Sequence, residues 1–232
     1  MPKIAYAQMK VAAGHPDVNT RKILQLIDEA RKGGADIVIF PELAVSGQML
    51  GDVWQEESFA NDCREYGEEV IAASRKNLAV IFGNIELRYS RDDLDIFNAI
   101  FVAKNKRLNF MPVIKNFTNA EDKYLSYLEV MINKKKYRIG CSFDYADFEG
   151  EADFVIKFSF TPFTPDKVIE SKNYGCPVIQ VGAVGVQNTG KTIYAFDGNS
   201  AVYNSRGEVV QYAEPFAECL NLVELDEIDK MP

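Results

Sequence analysis

The sequence predicts an α/β protein, a sandwich of mixed β-sheets flanked by helices. Three observations lead there. In the first half, β-branched apolar runs alternate with segments of helical periodicity. From about residue 96 onward, strand-like runs succeed one another with only weak, short helix signals between them. No linker-like stretch or internal repeat divides the 232 residues, so residues 1–232 read as a single domain with a substantial core.

Lys3-Ile4-Ala5-Tyr6-Ala7-Gln8-Met9 reads as a buried strand. A helix comes next, with Asn19 or Thr20 as its cap, Ile23, Leu24, Ile27 and Ala30 on its apolar face, and Gly33-Gly34 as its stop. Ile37 to Phe40 is a second strand, ended by Pro41. Residues 56–76 form a second helix and Leu78 to Gly83 a third strand. Ile96 to Ala103 and Phe110 to Lys115 are antiparallel strands around a polar turn at Lys104-Asn105-Lys106. Tyr137 to Phe143, Phe154 to Phe158, Pro177 to Val181, Ser200 to Asn204 and Glu208 to Tyr212 complete the strand series.

The composition, 47% hydrophobic and 26% charged, is that of a soluble globular protein. A net charge of −8 argues against nucleic acid or an anionic membrane as the main partner. Lys134-Lys135-Lys136 reads as a hairpin tip rather than a basic patch. The four cysteines show no paired spacing, and His15 stands alone in a loop, so no Cys/His zinc site, other metal or cofactor is expected. The lack of a signal peptide or long apolar span points to the cytoplasm and reduced thiols.

One motif is deceptive. Gly185-Val186-Gln187-Asn188-Thr189-Gly190-Lys191-Thr192 matches the P-loop letter for letter. That motif works only if a helix starts at the Lys-Thr pair, aiming its amides at phosphate. The next residues are Ile193-Tyr194-Ala195-Phe196-Asp197-Gly198, aromatic and turn-forming. Thr189-Gly190 is better read as a loop tip.

Phe40-Pro41-Glu42-Leu43 ends a buried strand on a carboxylate, a rigid platform for a general base. With Gly33-Gly34-Ala35-Asp36, Leu43 to Gly47, Asn98-Ala99, Ser159-Phe160-Thr161-Pro162-Phe163 and Val181-Gly182 … Phe196-Asp197-Gly198-Asn199-Ser200, the chain resembles the nitrilase (carbon–nitrogen hydrolase) superfamily. Within it, the last combination is similar to the glutaminase domains of glutamine-dependent NAD synthetases. The resemblance implies a nitrilase-like α-β-β-α sandwich, with its later helices shortened to Tyr145–Gly150 and to the stretch between Pro165 and Gly175.

In that family a glutamate is the base, a lysine stabilises the tetrahedral intermediate and a cysteine attacks the amide. The first two roles fall on Glu42 and Lys115. Aligned on Ile139-Gly140, the nucleophile falls on Asp144, and the acidic residue after it on Tyr145. The pocket aromatic of the NAD-synthetase branch falls on Gln48, while Ser159 and Thr161 stand in the family's Ser-x-Ser-Pro-Phe segment. Gln48, Tyr145, Ser159 and Thr161 are thus the candidate substrate-binding residues. Cys141, three residues before Asp144, would point to the other face of its strand. A carboxylate attacking an amide would have to form an anhydride, so Asp144 is instead expected to pair with Lys115.

The resemblance therefore implies a glutamine-amidotransferase-like domain without its cysteine nucleophile. Whether it is an enzyme stays open, with the balance against. A binding or regulatory protein tied to NAD biosynthesis is the leading expectation, with an NAD synthetase or related synthetase subunit as partner and a small amide or glutamine-like ligand. The alternative is an active glutaminase or amidase delivering ammonia to such a synthetase.

Overall fold

The computed structural model describes residues 2–48, 50–75, 77–89, 94–115, 127–144, 148–165, 173–188 and 192–231. The first sheet opens with β1 (Lys3–Gln8), crosses through helix α1 (Pro16–Lys32) to β2 (Ile37–Ile39), then passes through a 3-10 turn (Gly51–Gln55) and α2 (Glu57–Ala73) to β3 (Ala79–Tyr89). β1, β2 and β3 are parallel. β3 turns back into the antiparallel β4 (Leu94–Lys104), against which β5 (Arg107–Leu108) and β6 (Val113–Ile114) pair.

The second sheet repeats the same plan. A hairpin of β7 (Tyr127–Ile132) and β8 (Lys135–Phe143) is succeeded by β9 (Phe154–Ser159) and β10 (Val178–Gly182), both parallel to β8. A separate hairpin of β11 (Val184–Asn188) and β12 (Ile193–Asp197) precedes β13 (Ala201–Tyr203) and β14 (Val209–Tyr212). β13 pairs antiparallel with β10, and β14 with β13. β15 (Cys219–Glu224) returns to the first sheet as the antiparallel neighbour of β1, and leads into a 3-10 turn (Leu225–Lys230).

Period-two alternation sorts the side chains into layers. Ile4, Tyr6, Ile37, Ile39 and Ile81 face Ile139, Cys141, Phe158, Ile179 and Val202 across the interior of the sandwich. Their neighbours Ala5, Ala7, Val38, Val80 and Phe82 face the other way, onto α1 and α2. On the outer side of the second sheet, Phe148 packs with Val155, Val178 and Tyr203. Gly140 leaves room for it, since a Cβ there would sit 2.7 Å from the Phe148 ring. The nitrilase-like α/β sandwich is therefore as expected. The shortened helices predicted for the outer layer fall largely on residues 145–147 and 166–172, outside the described residues.

Several local expectations are corrected. α1 begins a turn earlier than predicted, at Pro16, whose fixed φ suits a first helical position. Asn19 therefore does not cap it. Its amide accepts from the Ala12 N–H at 2.8 Å and donates to the Ala12 and Val45 carbonyls at 2.8 and 2.9 Å. The strand predicted over Phe110–Lys115 shrinks to β6, and β7, β11, β12 and β15 are strands that the sequence does not announce. β12 stands where a P-loop would need a helix, and the predicted loop tip at Thr189-Gly190 lies outside the described residues. The lysine cluster is a hairpin turn, with Asn133 and Lys134 at positive φ.

The Phe196–Ser200 motif proves architectural. Gln8 at the end of β1 accepts from the Ser200 N–H at 3.0 Å and donates to the carbonyls of Glu214 and Ala217, both at 2.8 Å. Gly182 meets Gly198 so closely that a Cβ would lie 1.8 Å from the Gly198 carbonyl oxygen. The motif thus closes the two sheets together at one end.

The loop after β2 depends on a comparable approach. Gly83 donates to the Pro41 carbonyl and accepts from the Val45 N–H, and a Cβ on it would stand 2.2 Å from the Leu43 nitrogen. Gly83→Ala must therefore push the Glu42 loop away from β3. It is expected to cost about 3 kcal/mol in denaturant unfolding, and an unchanged midpoint would show that the loop yields freely.

Candidate active site

The backbone of β2 delivers Glu42 into the interior. Phe40 donates to the Ile81 carbonyl, Pro41 ends the strand, and Leu43 takes a left-handed φ of 49°. That conformation is costly for a branched side chain and persists only because the surrounding contacts impose it. Glu42 is 0% exposed. Two donors converge on its Oε1, the Lys115 ammonium at 2.7 Å and the Asn98 amide at 2.5 Å.

Lys115 stands just after β6, and its N–H donates to the Asn98 carbonyl at 2.8 Å. Asn98 therefore holds both the lysine backbone and the glutamate carboxylate. The ammonium also lies 5.2 Å from the centre of the Phe143 ring, an orientation that offsets part of the cost of burying a charge. In the sequence Asn98 stands out only as part of a motif. Its signal is a polar residue inside the apolar run Ile96-Phe97-Asn98-Ala99-Ile100, which a strand interior tolerates only with a partner.

Asp144 comes directly after β8, but its contacts differ from those expected. Its Oδ2 accepts from the Phe160 N–H at 2.8 Å and from the Thr161 hydroxyl at 2.6 Å, tying the end of β8 to the segment after β9. Among the described residues, the ion pair of Lys115 is with Glu42. Asp144 is still near enough to add an unfavourable charge to Glu42. Ser159 is buried at the end of β9. Gln48 meets β11 instead, its N–H donating to the Gln187 side-chain carbonyl at 3.1 Å. Tyr145 lies outside the described residues. The structure thus brings together Glu42, Lys115 and Asn98, with Asp144 and Thr161 as a second group.

Burial raises the Glu42 carboxyl above its ordinary value, and Lys115 and Asn98 offset only part of that effect. Glu42 Oε2 has no hydrogen-bond partner among the described residues. Cys141 faces the interior core on β8, where burial pushes its thiol well above the usual range. A thiol there is a small apolar core group. Among the described residues no group of three or more His, Cys, Asp or Glu side chains could hold a metal ion, and no helix is long and apolar enough to cross a membrane.

Glu42 and Lys115 thus reach the site from two strand ends of the first sheet, as a base-like carboxylate beside a buried ammonium. Residues 3–116 match the carbon-nitrogen hydrolase family model. The chain is related to glutamine-dependent NAD(+) synthetases. It is 26% identical to that of Aquifex aeolicus and 24% identical to that of Thermotoga maritima, in each case over 97% of this chain and 42% of the relative. It therefore spans under half the length of these relatives. A solved glutamine-dependent NAD(+) synthetase from Cytophaga hutchinsonii shares the fold with a TM-score of 0.77 at 19% identity, covering 99% of this chain and 44% of that one. An amidase from Nesterenkonia sp. does so with a TM-score of 0.74 at 14% identity, over 98% and 90% of the two chains.

The buried pair can be tested in two ways. Glu42→Leu removes the Glu42 carboxylate from the buried Lys115 ammonium and is expected to cost about 3–5 kcal/mol, whereas adding Lys115→Met should recover much of that loss. Additive effects in a double-mutant cycle would show that the two residues are uncoupled. The second test concerns pH. A carboxyl with a raised folded pKa contributes stability below its unfolded value, near 4.5, that is lost as pH rises through the folded value. Unfolding measured at rising pH from about 4.5 upward should show this decline in the native protein, and Glu42→Gln should reduce it, while an unchanged profile would show that Glu42 does not contribute.

Proposed function

We propose that this chain is a degenerate glutamine-amidotransferase-like nitrilase domain that binds rather than cleaves, a pseudoenzyme working in the cytoplasm in association with NAD biosynthesis. The observation that carries this reading is the state of the position after β8. Asp144 stands where the resemblance puts the nucleophile, and its carboxylate is engaged by Phe160 and Thr161. Attack by a carboxylate would place an anhydride uphill of the amide it came from, with an amine as a poor leaving group. The nearest thiol in sequence, Cys141, is sealed in the interior core with a raised pKa and cannot supply a thiolate. By contrast, solved structures of a Nesterenkonia amidase carry additions at an active-site cysteine.

The buried Lys115 and Asn98 donors around Glu42 suit a small amide or glutamine-like ligand. The names of its relatives make an NAD synthetase, or a related synthetase subunit, the natural partner. The persistence of Glu42 and Lys115 also supports a second reading, an active glutaminase or amidase passing ammonia to a synthetase.

Ammonia release from glutamine, measured with the chain alone and with an added NAD synthetase, separates the two. The expected result is no release above background in either case, for the native chain and Cys141→Ala alike. Release that disappears in Cys141→Ala would establish the hydrolase reading. Release that survives Cys141→Ala and disappears in Asp144→Ala would also overturn the pseudoenzyme.

A further inference from the structure

On the opposite side of β3 from Glu42, a groove of about 320 Å³ opens between α2 and the β3–β4 hairpin. Phe82, Asn84 and Glu86 line it in succession along one face of β3, with Gly67 on α2 opposite. Such alternate residues stand roughly 7 Å apart. Phe82 stacks on Phe101 at 5.4 Å between centroids, giving the groove an aromatic floor. Tyr89 and Leu108 sit exposed at its mouth.

Two of these side chains are hydrogen-bond acceptors with capacity to spare. Asn84 is 2% exposed, and its Nδ2 is fixed on the Cys63 carbonyl at 2.8 Å, which leaves Oδ1 without a partner among the described residues. A half-satisfied amide in such a place costs stability. Glu86 makes no hydrogen bond or ion pair among the described residues, and burial raises its carboxyl while the nearby Arg88 charge offsets part of that effect. Arg88, next on the same face, lies over the Phe97 ring at 5.5 Å. Gly67 adds a second cost, since glycine inside a helix is unfavourable. A Cβ there would come within 2.7 Å of Asn84 Nδ2, so the glycine keeps the amide in place.

We infer that this groove is a binding site, separate from the Glu42–Lys115 site, for a small organic cation: an aromatic or apolar body carrying an ammonium. The body packs against Leu87, Leu108 and the edge of Phe101 and displaces water from an apolar lining. The ammonium donates to the spare acceptors of Asn84 and Glu86. Arg64 and Glu68 also line the groove with opposite charges that offset one another, so the Glu86 carboxylate sets the preference for a cation over an anion of the same size. The volume sits at the small end of ordinary ligand pockets, which fits a single ring.

The test is an amide NMR titration with benzylamine, and with benzoate as the ring of opposite charge. Benzylamine is expected to give saturable shifts centred on Gly67, Asn84, Glu86 and Phe101, and benzoate none. Glu86→Gln should weaken benzylamine binding about tenfold, the effect of losing one charge-assisted contact. The inference is overturned if benzylamine gives no saturable shifts at millimolar concentration, if benzoate binds as well, or if Glu86→Gln leaves the affinity unchanged. The comparison of the two probes on the native chain stands whether or not the variant folds.

Discussion

The buried contact between Glu42 and Lys115 is the constraint around which this end of the molecule is organised. A carboxylate and an ammonium withdrawn from water are tolerated only when each has a partner and the geometry is held. Every neighbouring element contributes to that holding. β2 supplies the glutamate, β6 the lysine, and Asn98 on β4 touches both. Gly83 on β3 gives the Glu42 loop its room, and Asn19 on α1 anchors the far end of that loop at Val45. The aromatic face of Phe143, from the other sheet, lies beside the ammonium. The pair itself lies within the first sheet, and the second sheet reaches it through the Phe143 ring.

Asp144 belongs to a neighbouring but different arrangement. Its carboxylate closes the ends of β8 and the segment after β9 on one another. An acidic side chain that accepts from a backbone N–H and a hydroxyl is a structural element, as a cap is in a helix. This explains how an aspartate can sit beside Glu42 without pairing to Lys115. The Cys141 thiol, on the same strand, is used purely for packing.

Much of the fold was legible because it rests on local signals. The β-branched runs of β1, β2 and β3 and the glycine stop of α1 are set by short-range sterics and burial. The elements missed are those whose conformation is imposed from a distance. β15 is half-exposed and takes its register from β1, while β11 and β12 are strands only because they pair with each other. Asn19 looked like a cap since its residue type favours that role, yet its amide was recruited by two loops. At the site, Glu42 could be read from its position at a strand end and Lys115 from the resemblance to the nitrilase superfamily. The hydrogen bonds of Asp144 to Phe160 and Thr161 could not, because they join segments that only the sheet brings together. Gln48, chosen for a pocket aromatic it replaces, turned instead to Gln187 on β11.

A covalent probe would test most directly whether the position after β8 has lost its nucleophile. The chain is incubated with a chloroketone analogue of glutamine, and its intact mass and modified peptides are measured. Asp144 is held as a hydrogen-bond acceptor and Cys141 is sealed in the core. The molecule should therefore show no adduct at either residue, and any slow labelling should map to the partly exposed Cys176 and Cys219. A stoichiometric adduct on Cys141, prevented by glutamine, would contradict this and mark a working thiol nucleophile.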